Sequence, residues 1–339
     1  MNDGPAILVT GGAGYIGSHG CRALAAAGYH PPVVFDNFCT DHRDFVTGSL
    51  VTGDLKDRAA LDRAFAQHDI VAVMHLAASS LVGESVVDPA KYYANNVAGT
   101  LSLLDAMRKA GCNRLVFSST GAVYGNADSK ALPESYACVP INPYGASKWM
   151  IERILADYRS AYGLGAFCLR YFNASGADAA GGIGELRDNE THLIPRAMMA
   201  LQGHVGDFAV FGDDYDTPDG TAIRDYIHVT DLAAAHLAAL KLLMQGHAGD
   251  VFNLGTGTGY SVREILTAIA AETGREVPHV VKPRRSGDPT YLVADPGAAR
   301  ETLNFVPAHS DLATIIRTAW AWHKKAHPLK TDEPLSPAA

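Results

Sequence analysis

Short apolar runs alternate with longer segments of helical periodicity through the first half of the chain. The apolar runs predict buried strands at Ala6–Thr10, Val33–Phe35, Leu50–Thr52, Ala72–His75, Arg114–Ser118 and Phe167–Tyr171. Helical patterns lie between them, for example at Thr100–Ala110 and Tyr144–Tyr162. Strands that alternate with helices in this way are typical of a parallel sheet covered on both faces. The pattern therefore predicts an α/β fold built on a doubly wound parallel sheet.

This rhythm ends after Asn173, where glycine- and aspartate-rich loops connect shorter elements. Thr230–Met244 and Val251–Leu254 again have the pattern of a helix followed by a buried strand, and we expect them to return to the sheet. The predicted divisions of the chain are a first domain over 1–172 with the returning segment 227–254, a smaller domain over 173–326, and a tail over 327–339. The tail contains three prolines among 13 residues and is expected to be flexible.

Composition and charge narrow the class of protein. The chain has 339 residues, of which 47% are hydrophobic and 19% charged, as expected for a globular protein large enough for two packed units. A formal net charge of −8 argues against a general nucleic-acid surface. No apolar run reaches the about 18 residues of a membrane span, and the N-terminus has no signal-peptide pattern. We therefore expect a cytoplasmic protein.

The cysteines do not predict a disulfide framework, and the histidines do not predict a metal site. The five cysteines are scattered, odd in number and without a C-x-x-C pair. This spacing favours free thiols in a reducing compartment. The 14 histidines form no H-x-x-x-H motif and no cluster with carboxylates in the sequence, so no metal site is expected.

A glycine-rich turn follows the first predicted strand directly and precedes a helical pattern. Its glycines, Gly11, Gly14 and Gly17, permit a tight turn, a close approach of backbone to a pyrophosphate, and close packing of helix on strand. The N-terminus of the following helix offers unpaired N–H groups and a positive dipole to phosphates. The strand, turn and helix together predict a Rossmann-type dinucleotide site.

The choice between dinucleotides is indicated by Asp36, at the end of the second strand and nineteen residues after Gly17. Its carboxylate can accept hydrogen bonds from both adenosine ribose hydroxyls and would repel a 2′-phosphate, which selects NAD over NADP. The alternative reading is that Asp36 only caps a loop. Asp54 and Leu55 after the third strand could bracket the adenine. The small residues in Leu76-Ala77-Ala78 after the fourth strand would let backbone approach the cofactor.

Tyr144 and Lys148 are one helical turn apart and point from one face of the helix. A free tyrosine is ionised only to about one part in a thousand at neutral pH. A nearby ammonium and the positive nicotinamide ring would both favour the phenolate and lower this barrier. Thr120 lies at the C-terminal end of the fifth strand, where parallel sheets bind their ligands, and its hydroxyl could hydrogen-bond the reacting oxygen and relay its proton. These three residues are the predicted catalytic group.

At this point the sequence resembles the extended short-chain dehydrogenase/reductases, and within them the UDP-glucose (UDP-galactose) 4-epimerases. The resemblance covers the chain from Thr10 to about His323. Its most specific stretches are Thr10–His19, Val82–Ser85, Tyr92–Thr100, Phe117–Gly125, Pro143–Lys148, Leu169–Asn173, Phe211–Tyr215, Gly220–Val229, Asn253–Gly255 and Arg284–Asp288.

The resemblance implies a role for each catalytic residue. Tyr144 takes the proton of the sugar 4-hydroxyl, Lys148 tunes it and holds the nicotinamide ribose, and Thr120 occupies the serine/threonine position. Tightly bound NAD accepts the C4 hydride to give a 4-keto sugar, which rotates before the hydride returns to its other face. The implied substrates are UDP-glucose and UDP-galactose, and the implied assembly is a homodimer packed through helices that include Tyr92–Ala110 and Tyr144–Tyr162.

The resemblance also implies two sets of binding residues. The cofactor set is Gly11, Gly14, Tyr15, Ile16, Gly17, Asp36, Asn37, Asp54, Leu55, Leu76, Ala77, Ala78, Asn95, Ser118, Tyr144, Lys148 and Tyr171. The substrate set is Thr120, Tyr144, Asn173, His192, Leu193, Phe211, Arg224, Tyr226, Arg285 and Asp288. Arginine forks suit diphosphate oxygens on chemical grounds as well. The alternative reading of Arg224 and Arg285 is that they are surface salt-bridge partners.

Two positions depart from the family pattern. Ser80 stands where some members carry a lysine, so one cofactor contact must differ or be dispensable. Leu292 stands where some members have a bulky tyrosine and others a small cysteine that limits the sugar pocket. Leucine is intermediate in size, so N-acetylated sugars are predicted to be poor substrates.

Three other functions are alternatives for this sequence. An epimerase of another UDP-sugar, such as UDP-xylose/arabinose or a UDP-uronic acid, stays open because the motifs read the nucleotide more than the sugar. A nucleotide-sugar 4,6-dehydratase needs an acid–base pair after the threonine, where this chain has Gly121-Ala122. A non-catalytic dinucleotide sensor would have no need of the three catalytic residues.

Overall fold

The structure of the chain, a computed structural model, describes residues 4–127, 131–285 and 288–328. Within the expected tail, only His327 and Pro328 are among these residues, and their carbonyls accept hydrogen bonds from Gln202 and His204. Residues 329–339, and Ser286-Gly287 of the arginine-containing motif, lie outside the described residues. The flexible tail therefore stays a prediction.

The first half forms the strands and helices that the periodicity predicts. Its strands are β1 (Ala6–Thr10), β2 (Val33–Asp36), β3 (Ser49–Thr52), β4 (Ile70–His75), β5 (Arg114–Thr120) and β6 (Gly165–Tyr171). Its helices are α1 (Tyr15–Ala26), α2 (Arg58–Gln67), α3 (Val82–Val87), α4 (Pro89–Tyr92), α5 (Gly99–Lys109) and α6 (Pro143–Tyr162). The predicted strands are confirmed, but β4 and β6 begin earlier than expected and β5 continues to Thr120.

The second half contains shorter elements. Its strands are β7 (Asn173–Ser175), β8 (Ala209–Phe211), β9 (Ile223–His228), β10 (Val251–Leu254), β11 (Gly259–Ser261), β12 (Val280–Lys282) and β13 (Tyr291–Leu292). Its helices are α7 (Leu193–Leu201), α8 (Val229–Met244), α9 (Val262–Thr273), α10 (Gly297–Leu303) and α11 (Leu312–Ala326). The helix and strand predicted at Thr230–Met244 and Val251–Leu254 are confirmed.

Seven strands form one parallel sheet in the order β10-β6-β5-β4-β1-β2-β3. The strand order reverses at β1, which pairs with β2 on one side and β4 on the other. In doubly wound sheets, ligands bind beyond the carboxyl ends of the strands at such a switch point. The glycine-rich turn follows β1 at this point, so the topology indicates a binding site there.

Strand β10 joins the large sheet although it comes about eighty residues after β6. Val251 to Leu254 pair in parallel with Cys168 to Tyr171. Helix α8, which precedes β10, contributes Leu232, Ala239 and Leu240 to the apolar layer on one face of the sheet. The boundaries of the two predicted domains stay a prediction.

The remaining strands pair outside the large sheet. Strand β9 lies between β11 and β13 and also pairs with β7, while β8 pairs with β12. A separate apolar core lies among α7, α9 and α11 and includes Ile194, Ile265 and Ile315. Within the described part of the chain, no helix has the length and apolar character needed to cross a bilayer.

Candidate active site

A cleft of about 340 Å³ lies between the glycine-rich turn, the ends of β4 to β6, and the second half of the chain. The predicted site residues that line it are Gly11, Gly14, Tyr15, Ile16, Gly17, Leu76, Ala77, Ala78, Ser118, Thr120, Tyr144, Lys148, Tyr171, Asn173, His192, Arg224 and Asp288. Ser80 and Leu292, the two departures from the family pattern, line it as well. The structure thus brings most of the predicted cofactor and substrate residues into one continuous space.

The glycine-rich turn has no space for a side chain at Gly11 or Gly17. Gly11 has φ of +70°, and a Cβ added there would lie 2.7 Å from the Ala77 nitrogen. A Cβ on Gly17 would lie 2.0 Å from the Gly11 carbonyl oxygen. Among the described residues, no side chain caps the N-terminus of α1 after Gly14, so its first N–H groups are available to an anion. This cradle fits the pyrophosphate of a dinucleotide.

Asp36 ends β2 as predicted and is buried. Its two carboxylate oxygens accept hydrogen bonds from the backbone N–H groups of Ala13, at 3.0 Å, and Phe38, at 2.9 Å. The loop-cap reading of Asp36 therefore describes part of its role. Asp41, which sequence analysis missed, lines the cleft beside Gly14. Burial and the neighbouring Asp36 raise the pKa of Asp41 to about 6.

The N-terminal cap of α6 positions the tyrosine–lysine pair. The Asn142 side chain accepts a hydrogen bond from the Gly145 N–H at 2.8 Å, and Pro143 occupies the first turn. Tyr144 therefore lies in the first turn and Lys148 in the second. The Lys148 ammonium is buried and donates to the Ser118 carbonyl at 2.7 Å. Its burial lowers the pKa of Lys148 to about 7, although Glu152 opposes this shift.

Tyr144 and Thr120, the last residue of β5, line the cleft together. Burial raises the pKa of Tyr144 above its ordinary value, while the neighbouring Thr120 hydroxyl and the Arg187 charge lower it. From the sequence, the cationic neighbours are expected to dominate and to lower this pKa. In the protein alone, burial is the larger effect, because the phenolate loses its hydration.

Several predicted residues lie outside the cleft lining, namely Asp36, Asn37, Asp54, Leu55, Asn95, Leu193, Phe211, Tyr226 and Arg285. The Leu55 and Tyr226 side chains belong to hydrophobic cores. Asn95 donates to the Ser79 hydroxyl at 3.2 Å. Their ligand contacts stay predictions.

On the second half of the chain, predicted substrate residues are paired with one another. Arg224 forms an ion pair with Asp288, and both line the cleft. The Arg285 guanidinium lies 3.8 Å from the centre of the Phe211 ring. The ion pair agrees in part with the alternative that Arg224 is a salt-bridge partner. However, Arg224 and Asp288 both line the cleft and do not lie on the outer surface.

The structure corrects the expectation that no histidine clusters with carboxylates. His192 Nδ1 lies 2.9 Å from a Glu185 oxygen and 3.1 Å from a Glu190 oxygen. Arg187 Nε donates to the same Glu185 oxygen at 3.1 Å. The three acids and bases at 185, 190 and 192 are close enough to hold a metal ion, yet the cations of Arg187 and His192 already balance the two carboxylates. That no metal is needed stays a prediction.

Glu185 and Arg187 are not predictable from periodicity because they lie in an irregular segment. The available signal was topological. The segment follows the carboxyl end of β6 and β7 directly, so it begins at the edge of the sheet where ligands bind. Charged residues in such a segment are candidates for a site even without a motif.

A phosphate-binding turn and a tyrosine with a neighbouring buried lysine thus share one cleft at the switch point of a doubly wound sheet. Fold and cleft together define a dinucleotide-dependent enzyme with a Rossmann-type fold.

Comparison with known proteins specifies this class. Residues 7–255 match the model of the NAD dependent epimerase/dehydratase family. A UDP-glucose 4-epimerase of Rhizobium leguminosarum is 52% identical over 96% of this chain and 99% of that protein. The crystal structure of UDP-glucose 4-epimerase from Brucella ovis in complex with NAD is 53% identical, with a TM-score of 0.91 over 94% of this chain and 98% of the other. The chain belongs to the NAD dependent epimerase/dehydratase family, and within it to the UDP-glucose 4-epimerases.

A further solved structure contains both kinds of ligand. The UDP-glucose 4-epimerase from Bifidobacterium longum, in complex with NAD⁺ and UDP, is 36% identical and has a TM-score of 0.89 over 94% of this chain and 98% of that one.

Proposed function

We propose that this enzyme interconverts UDP-galactose and UDP-glucose by inverting C4 of the sugar. The observation that carries the proposal is that Tyr144, Thr120 and Lys148 line the same cleft as the glycine-rich turn, with Lys148 one helical turn from Tyr144. The high identity to UDP-glucose 4-epimerases over nearly the whole chain supports the same substrate pair.

In this proposal Tyr144 removes the proton of the sugar 4-hydroxyl and returns it after rotation of the sugar. Bound NAD supplies the hydride acceptor and donor for C4. Thr120 hydrogen-bonds the reacting oxygen, and Lys148 stabilises the phenolate by its charge. Because the cofactor ends each cycle in its starting form, no exchange is needed and tight retention is favoured.

Recognition falls mainly on the nucleotide. Asn173, His192, Arg224 and Asp288 line the same cleft as the glycine-rich turn and belong to the second half of the chain, which supports their role in holding the UDP moiety. The arginine fork matches diphosphate oxygens. Weak contacts to the sugar leave the 4-keto intermediate free to rotate about its diphosphate, so that either face of C4 can meet the nicotinamide.

We also propose a homodimer. Helix α6 and the turn that precedes α5 expose large apolar side chains, among them Tyr93, Met150 and Tyr162. Such side chains on adjacent helices are a suitable surface for a second copy. Light scattering should give twice the mass of one chain. A cytoplasmic location stays the prediction made above.

The test of the activity is direct. The purified protein, without added NAD, is incubated with UDP-galactose, and the products are separated by chromatography. We expect UDP-glucose to form until equilibrium is reached. Conversion of UDP-galactose only after addition of NAD would contradict tight retention, and no conversion with NAD present would contradict the proposed function.

Leu292 is expected to limit the size of the sugar. It lines the cleft on β13, where its backbone pairs with Arg224. We predict that the wild-type enzyme turns over UDP-N-acetylglucosamine at least about tenfold more slowly than UDP-glucose, since overpacking of a filled pocket typically costs 1–3 kcal/mol, or about 1–2 powers of ten. Leu292→Cys should narrow this ratio, as measured by kcat/KM for both sugars. Equal rates in the wild-type enzyme would rule the idea out.

A further inference from the structure

Arg187 brings a guanidinium into the cleft that neither the dinucleotide motif nor the tyrosine–lysine motif accounts for. Its side chain is 24% exposed, and its Nε donates to Glu185 at 3.1 Å. Over residues 4–127, 131–285 and 288–328, no hydrogen bond from its two terminal nitrogens is found. The guanidinium is therefore held through Nε, while its two terminal nitrogens are available to donate to a ligand.

Two buried carboxylates hold the Arg187 and His192 side chains in place. Glu185 and Glu190 are both buried, and His192 lies between them. The charges of His192 and Arg187 hold the pKa of Glu185 at about 2 in spite of its burial. Glu190 also accepts hydrogen bonds from the backbone N–H groups of Thr191 and His192, both at 2.7 Å. Glu185 is thus an anion at neutral pH and a firm partner for Arg187.

The segment that carries Arg187 is attached to the helix of the glycine-rich turn. The Tyr15 hydroxyl, in the first turn of α1, donates to the Gly176 carbonyl at 2.7 Å. Arg22, further along α1, forms an ion pair with Asp178 at 2.8 Å. These two contacts attach the start of the segment to one face of α1, at positions two helical turns apart. We call residues 176–187 the clip.

The clip is also packed from its other side. Ala177 and Gly184 form a bridge, and a Cβ added to Gly184 would lie 2.4 Å from the Trp322 ring. Trp322 in turn packs with Phe45 and Ile183 in one apolar cluster. The clip is therefore held between α1 and α11, and Arg187, its last residue, lines the cleft.

The electrostatic neighbours of Arg187 mark its place. Its charge lowers the pKa of Tyr15, of Asp41 and of the Tyr144 phenol, although other effects dominate each group. Tyr15 follows Gly14 in the phosphate turn, and Asp41 lies beside Gly14. Arg187, Tyr15, Asp41 and Tyr144 also line the same cleft as the glycine-rich turn.

We propose that Arg187 closes over the pyrophosphate of NAD from the side opposite α1 and retains the cofactor through the catalytic cycle. The proposal rests on the proposed function. It also accounts for Ser80, which lines the same cleft without the positive charge that a lysine would bring. A guanidinium fork from the clip supplies a cation there, and it also offsets the Asp41 carboxylate beside the phosphates.

The test compares three variants of the full-length protein. Arg187→Met removes the charge but keeps most of the length, Arg187→Lys keeps the charge without the fork, and Arg317→Met removes an exposed arginine that does not line the cleft. Each protein is freed of nucleotide and titrated with NAD, and separately with UDP, by calorimetry. NAD content of the proteins as purified is measured in parallel.

We expect the NAD dissociation constant to rise about 10- to 100-fold in Arg187→Met, as for loss of one charge-assisted contact, and less in Arg187→Lys. UDP binding and the Arg317→Met control should stay within about twofold of wild type. An unchanged NAD constant in Arg187→Met overturns the proposal, and so does a loss confined to UDP, which would assign the cation to the substrate diphosphate.

Two further outcomes are separable. If Arg187→Met does not fold, as judged by circular dichroism, Arg187→Lys decides: an NAD constant within about twofold of wild type overturns the proposal. Because NAD binding is measured without sugar turnover, a wild-type protein that binds NAD but does not convert UDP-galactose would refute the proposed function and leave the role of Arg187 in cofactor retention intact.

Discussion

Tyr144→Phe is expected to lower kcat for UDP-galactose by about 100- to 10,000-fold, the range found for loss of a general acid–base group. The phenol lines the cleft with Thr120, and phenylalanine has no hydroxyl to act as acid or base there. Phenylalanine keeps the ring and its edge-to-face contact with Tyr92, whose ring centre lies 6.5 Å away. The loss should therefore fall on kcat, with little change in the melting temperature or in NAD content.

The matched control is Tyr162→Phe, at the exposed end of the same helix. Its activity should equal that of wild type, because the ring contact with Tyr158 does not depend on the hydroxyl. Both variants are measured with an assay that couples UDP-glucose formation to a dehydrogenase. More than a tenth of the wild-type kcat in Tyr144→Phe would show that another group removes the proton.

The largest effect on stability is expected at Glu152, one turn beyond Lys148 on α6. Its carboxylate accepts three hydrogen bonds from Arg170, at 2.6, 2.9 and 3.2 Å, and both side chains are almost fully buried. Glu152→Leu leaves the guanidinium without its counter-ion in a low-dielectric interior. We expect the free energy of unfolding to fall by about 3–5 kcal/mol in denaturant titrations.

Two controls separate the buried charge from a general packing defect. Asp62→Asn removes the partner of Lys109 in an exposed pair at 3.0 Å and should change stability by about 1 kcal/mol or less. The double variant Glu152→Leu/Arg170→Met removes both charges and should recover much of the loss. A single variant that costs less than about 1 kcal/mol would show that water or another group compensates Arg170.

The elements of the large sheet could be predicted because parallel strands buried on both faces appear as apolar runs. The position of Tyr144 was also readable, since Asn142-Pro143 is a helix start signal. The placement of Thr120 at the C-terminal end of β5 is confirmed, but the predicted run stopped at Ser118 because Ser119 and Thr120 are polar. Their strand conformation depends on pairing with Arg170 and Tyr171 of β6, which is a tertiary contact.

Side-chain direction was the other limit. Sequence alone does not show that Leu55 and Tyr226 face hydrophobic cores, whereas Leu292 faces the cleft. The environment of Tyr144 was equally hidden: the expected lowering of its pKa considered charges, but the burial that raises it depends on the packed fold. Arg187 was missed because its position is set by contacts of the clip with α1 and α11, far away in the sequence.

The late return of the chain to the large sheet has a consequence for synthesis and folding. Until residues 251–254 have left the ribosome, β6 lacks the neighbour that accepts and donates its outer hydrogen bonds. In a nascent or truncated chain, β6 is then an apolar edge strand whose unpaired backbone groups are accessible to other chains. We therefore expect fragments that end before Val251 to self-associate, and folding of the first two hundred or so residues in the cell to depend on chaperones.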